Sequence, residues 1–142
     1  MKKFSFELEQ VLEFRNYEKQ QAEGELAKAI AVETQINENL RKIAENYAAV
    51  KAQMKGSLNF QDMMAHDQYN KLLEYQKEEL LKQLAQAKLV TEQKRAVLRE
   101  CMKKTTALEK LKEQQLAEWK QAADYEEAEL LDEVKNKLTT NT

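Results

Sequence analysis

Lys55-Gly56-Ser57-Leu58-Asn59 divides the chain, because it is the one place where two long apolar stripes of helical period are interrupted. On its N-terminal side Leu8, Leu12, Arg15, Lys19, Ala22, Leu26, Ala29, Glu33, Ile36, Leu40, Ile43, Tyr47, Val50 and Met54 follow at alternating steps of four and three. That spacing keeps one face of a helix turned toward a partner and is the mark of a coiled-coil seam. No proline occurs in the 142 residues to break either stripe. The reading is all-α: a long antiparallel two-helix coiled coil, a helical hairpin with an overhanging C-terminal helix. Helix 5–55, turn 56–59 and helix 60–138 form a single hairpin, the part after about residue 114 overhanging and residues 139–142 disordered.

The helix ends carry signals of their own. Ser5 is placed to cap the first helix, with Glu7 and Glu9 near the positive end of its dipole. Lys51 and Lys55 precede Gly56, the pattern of a helix terminus that closes on a left-handed residue. Asn59 offers a second cap with Asp62 three residues on, and Leu58 and Met63 are spaced as a hydrophobic staple. In the second helix a looser stripe runs Tyr69, Leu73, Gln76, Leu80, Leu84, Ala87, Val90, Lys94, Val97, Cys101, Lys104, Leu108, Leu111. Its steps include one four-four and one three-three irregularity, which imply local changes of supercoil. Arg15, Lys19, Glu33, Lys94 and Lys104 interrupt the seam with charge and help fix register.

Folding back about the turn sets Phe4 and Leu8 beside Leu108 and Leu111. The helix beyond Gln114 then outruns its partner by about 35 Å at 1.5 Å per residue. Its apolar residues Leu116, Trp119, Ala123, Leu130, Val134 and Leu138 are left without cover, so Trp119, Leu130 and Val134 are candidate docking residues for a partner. A basic block over residues 88–112 adjoins an acidic one over residues 118–133. Acid toward a helix C-terminus opposes the dipole, so a basic surface is the complementary partner for this tail.

Composition narrows the function classes. With 34% charged residues, 7% aromatics, two glycines and a mean hydropathy of -0.80, the chain has the make-up of a coiled coil. A formal net charge of -2 speaks against a dedicated nucleic-acid binder. No stretch approaches the roughly 20 apolar residues of a membrane span, and Met1-Lys2-Lys3 leads into no signal peptide, so a cytoplasmic location is expected. Cys101 is the sole cysteine and fits a reducing compartment as a small buried hydrophobe. One histidine, His66, beside the turn leaves no nucleophile-base pair and no zinc set, and Gly24 and Gly56 make no phosphate loop. Glu38 with Lys42 and Glu78 with Lys82 are helix-surface ion-pair spacings, not acid-base pairs. No catalytic residue, metal site, cofactor or small-molecule substrate is expected, and function must lie in contacts with other proteins.

Phe4-x-Phe6-x-Leu8, then Val11-Leu12-x-x-Arg15-x-x-Glu18 with Ala22 and Leu26-Ala27-x-Ala29, resemble one end of FliJ, a coiled-coil family of the bacterial flagellar type III export apparatus. Ala107-Leu108-Glu109-Lys110-Leu111-Lys112-Glu113, with Asp132-Glu133 after it, resembles the other end. The resemblance implies a non-enzymatic component, similar to the central stalk of rotary ATPases, whose paired termini enter the hexameric ring of the flagellar export ATPase and promote its assembly and activity. By resemblance the ring contact comprises Phe4, Leu8, Leu12, Arg15, Leu108, Glu109, Leu111 and Lys112. The family also implies contact with the cytoplasmic domain of the export gate and escort of export chaperones, matched here by Tyr69, Leu73, Gln76 and Leu80. The doublets Leu72-Leu73 and Leu80-Leu81 offer one leucine to each face. Membrane association would be peripheral, through partners, at the inner membrane of the flagellar base. A self-assembling coiled-coil scaffold and a rotary-ATPase-type stalk subunit are the competing readings.

Overall fold

The computed structural model describes residues 2–56 and 59–140. Two helices, α1 (Glu9–Gln53) and α2 (Phe60–Thr140), pack against each other as a helical hairpin coiled coil, with no strand among the described residues. The chain divides into two compact units, a terminal unit (Met1–Gln20 with Arg99–Thr142) and a turn unit (Gln21–Leu98).

In the turn unit the first-helix seam follows the predicted spacing. Ala22, Ala29, Ile36 and Val50 are buried, and Leu26, Glu33, Leu40 and Ile43 are half-buried. Tyr47 and Met54 turn outward. The facing stripe of α2 is His66, Asn70, Leu73, Lys77, Leu80, Leu84, Ala87, Thr91, Lys94 and Leu98, all buried or half-buried. In the terminal unit Leu12, Arg15 and Lys19 share the interior with Cys101, Thr105, Leu108, Lys112, Gln115 and Trp119. Both α2 sets keep an unbroken four-three alternation, so the two expected irregularities do not occur.

Four positions assigned to the second stripe, Tyr69, Gln76, Val97 and Lys104, are exposed. The spacing passes instead through Asn70, Lys77, Leu98 and Thr105. Thr91 and Thr105, exposed by only 3% and 2%, are more buried than most of the leucines. A threonine has nearly the volume of valine, and its hydroxyl can be bonded within its own helix. Thr91 Oγ1 donates to the Ala87 carbonyl and Thr105 Oγ1 to the Cys101 carbonyl, each at 3.0 Å. Bonded in this way the hydroxyl loses little on leaving water.

Cross-helix polar contacts then fix the register within each unit. Thr105 Oγ1 also reaches the Arg15 carbonyl at 3.3 Å. Lys112 pairs with Glu9 at 2.7 Å, and Lys94 pairs with Glu25 at 3.9 Å. Asn70 is the costly member, its Oδ1 buried with no hydrogen-bond partner. On the outer surface the pairs fall mainly at i,i+3: Arg41 binds Glu38 and Glu45, and Lys82 binds Glu79, where Lys42 and Glu78 were expected.

The helix ends depart from expectation at three points. α1 begins at Glu9, not at Ser5. Phe6 is buried and Phe4 half-buried, and the Phe6 carbonyl accepts the Glu9 amide at 3.1 Å. Burying Phe6 is worth about 1.5–3 kcal/mol, with part of that again from the half-buried Phe4, against about 1 kcal/mol for a serine cap, so the non-helical path wins. At the far end of α1 Gly56 has no positive φ. The helix closes with the Lys55 amide on the Ala52 carbonyl at 3.3 Å, a tightened last turn that needs no left-handed residue. Asn59 caps α2 as expected, its Oδ1 accepting the Asp62 amide at 2.8 Å. The Leu58–Met63 staple and the turn's Ser57 lie outside the described residues. Thr139 and Thr140 are helical instead of disordered, each hydroxyl bonded to a carbonyl one turn back, and Lys137 favours the negative helix end. Asn141 and Thr142 lie outside the described residues.

Two substitutions test this account of the seam. Asn70→Leu removes an unbonded buried oxygen and should stabilise the protein by about 1–2 kcal/mol, read as a higher urea midpoint at unchanged slope. Thr105→Val should shift stability by less than about 1 kcal/mol, whereas Thr105→Leu should cost about 1–3 kcal/mol by overpacking.

Candidate functional site

Two surfaces carry the candidate residues, one in each unit. In the terminal unit the segment before α1 is not helical, and it buries Phe6 and half-buries Phe4. The Phe4 and Trp119 rings lie 6.1 Å apart at 59°, and Trp119 Nε1 donates to the Lys2 carbonyl at 3.1 Å. Phe4 therefore meets Trp119 instead of Leu108 or Leu111.

This contact also corrects the length of the overhang. Gln115, Leu116, Trp119 and Ala123 are half-buried by their own chain, and continuous exposure begins at residue 124. Trp119 is thus an internal contact, while Leu130 and Val134 remain exposed at 58% and 55%.

The other members of the expected ring contact have mixed settings. Leu12 is buried, and Leu108 and Leu111 are half-buried. Lys112 is engaged by Glu9. Arg15 holds Glu18 at 2.8 Å and lies 5.8 Å from the Phe14 ring centre. Leu8 and Glu109 face solvent, and with them Val11, Phe14 and Tyr17, none of which belongs to the expected ring contact. Those three fall outside the seam spacing, and their apolar character was the available signal.

In the turn unit an apolar groove of about 570 Å³ is lined by Leu40, Ile43, Tyr47, Leu73, Lys77 and Leu81. Leu73 and Leu80 point inward and cannot act as free contacts. Their neighbours Leu72 and Leu81 face out, as the doublet spacing predicts. Tyr69, Tyr75 and Gln76 extend the exposed strip, and Phe60, Met63 and Met64 add an exposed apolar cluster at the start of α2.

Charge on these surfaces is locally compensated. Arg41 donates from Nε to Glu38 at 3.1 Å and holds that carboxyl below its ordinary range, while Glu38 and Glu45 raise the Arg41 guanidinium. A lowered glutamate favours the folded state above its unfolded value and loses the effect as pH falls through the folded one. Both groups lie on the outer surface, so the cluster shapes that surface. Among the described residues no group of three or more histidine, cysteine, aspartate or glutamate side chains is placed to hold a metal ion, and no helix is long and apolar enough to cross a membrane.

Trp119 is the only tryptophan, so its emission reports the docking of the terminal segment. Phe4→Ala should shift that emission to the red with helix content unchanged by circular dichroism. An unshifted spectrum would mean that the segment does not rest on Trp119 in solution.

Among protein families, the model described as Flagellar FliJ protein matches residues 4–141. Comparisons with curated proteins and with solved structures gave no match.

Proposed function

The chain belongs to the FliJ family of flagellar proteins and has the family's export-related role, and from that premise we propose that it is a non-catalytic adaptor of the flagellar type III export apparatus. The match across nearly the whole chain is the observation that carries this reading. The terminal unit binds the hexameric export ATPase and promotes its assembly and turnover. The turn unit contacts the cytoplasmic domain of the export gate and the export chaperones. Association with the inner membrane at the flagellar base is peripheral and runs through these partners.

Exposure refines which residues carry each contact. At the ATPase the outward set is Leu8, Val11, Phe14 and Glu109, while Phe4, Leu12, Leu108 and Leu111 shape the surface from beneath. Lys112 and Arg15 contribute their fields through pairs already made inside the chain, so their substitution acts on positioning as well as charge. At the gate or chaperone the outward set is Tyr69, Leu72, Tyr75, Gln76 and Leu81, with Leu73 and Leu80 as support. Apolar side chains on a rigid helix, ringed by lysine and glutamate, suit reversible docking of another protein's helix. Nothing in this reading requires the chain to hold nucleotide.

The test is ATP turnover by the export ATPase of the same organism, measured where its ring is only partly assembled, with and without this protein. Stimulation is expected, and Leu8→Asp with Phe14→Asp should abolish most of it while helix content is retained. Absence of both stimulation and co-sedimentation with the ring would remove the reading.

A further inference from the structure

The turn unit is not held evenly along its length. Its inner half, residues 21–38 with 83–98, buries Ala22, Ala29, Ile36, Ala87 and Thr91, and Lys94 pairs across the seam with Glu25. Small side chains at a contact let helix axes approach closely. The tip half, residues 39–56 with 59–82, has only Val50 and Leu73 fully buried among the described residues. Among those residues no ion pair or hydrogen bond crosses between α1 and α2 in the tip half.

Polar residues take the inward places of the tip half without a partner on the other helix. His66, Asn70 and Lys77 are half-buried, Asn70 Oδ1 is buried with no hydrogen bond, and Lys77 binds Glu74 of its own helix at 3.1 Å. Tyr47 and Met54, at seam spacing on α1, turn outward and withdraw their apolar area from the contact. Clefts of about 570 and 420 Å³ adjoin Ile43, the first facing Leu73 and Leu81, the second Gln76 and Leu80. At about 100° per residue Leu40 and Tyr47, which line the first, lie to one side of Ile43, and Asn39 and Asn46, which line the second, to the other. Packing is thus thinned on both sides of the seam. The inner half also has a cleft, about 480 Å³ beside Ile36 and Ala87, but keeps its buried row and its cross-helix pair.

We infer that the hairpin has a built-in opening: the tip half parts and re-pairs as one cooperative unit while the inner half stays closed. Local unfolding of this kind follows the segments with least burial and fewest cross-links. Parting turns the inward faces of Leu73 and Leu80 toward solvent. Under the reading of the turn unit as the gate or chaperone contact, opening is the step that makes these two leucines available to a partner. Only that use rests on the reading, because opening is a property of the protein alone and is measured without any partner.

Native-state amide hydrogen exchange on the full chain tests it. Amides of the tip half should be less protected than those of the inner half by about tenfold or more, with the step near residues 40 and 80. Leu26→Ala, in the inner half, should lower protection there and leave the tip amides unchanged, since their opening does not pass through Leu26. Asn70→Leu should raise tip protection about tenfold by removing the unbonded oxygen from the closed seam. Equal protection in both halves, falling together in Leu26→Ala, would overturn the inference by showing a single cooperative unit. Low protection confined to the turn of helix on either side of residue 56 would overturn it as well, since that is ordinary fraying of helix ends.

Discussion

The strict four-three alternation of inward positions is the constraint on which the fold depends. Two helices remain in contact over many turns only if the buried face drifts no faster than the supercoil can absorb, and an alternation averaging 3.5 residues meets that condition. In α2 the condition outranks side-chain type. Threonine, asparagine and lysine take inward positions where the period demands them, while Tyr69 and Val97 are left in water. The polar members are tolerated because most carry their own partners, in a carbonyl one turn back or a carboxylate on the other helix. A seam of this composition gains less from burial than a leucine zipper and more from specificity, since a slip of one heptad would part Lys112 from Glu9.

The start of the chain follows a different rule. There the helical period does not apply, and the balance between capping and burial decides where the helix begins. Two aromatic rings laid on α2 outweigh one hydroxyl at a helix terminus. The outcome covers the first turns of what would otherwise be a bare overhang. It also leaves Val11, Phe14 and Tyr17 as the apolar surface of early α1.

The hairpin, the chain reversal near residue 56, the Asn59 cap and the first-helix seam apart from Leu8, Tyr47 and Met54 were legible from spacing alone, because each depends on local pattern. The inward and outward leucines of Leu72-Leu73 and Leu80-Leu81 were legible for the same reason. What was not legible required knowing which of two adjacent residues the period selects. The predicted stripe ran through Val97 and Lys104, while the geometry selects their neighbours Leu98 and Thr105. The candidate contact residues suffered most from this, since Leu12, Leu73 and Trp119 resemble exposed anchors in sequence and are inward-facing or internally paired in the structure. An apolar residue at seam spacing in a coiled coil is seam first, and only residues outside the period are free to meet another protein.

The chain reversal has a property that follows from its backbone. Gly56 has no positive φ, and a Cβ added there would meet nothing within 4 Å. The Lys55 amide and the Asn59 side chain close the two helices independently. Residue 56 itself therefore makes no demand for glycine, and loop lengthening carries only a slowly growing entropic cost. The tip is a place where the chain can absorb inserted residues or a fused label while both helices keep their pairing.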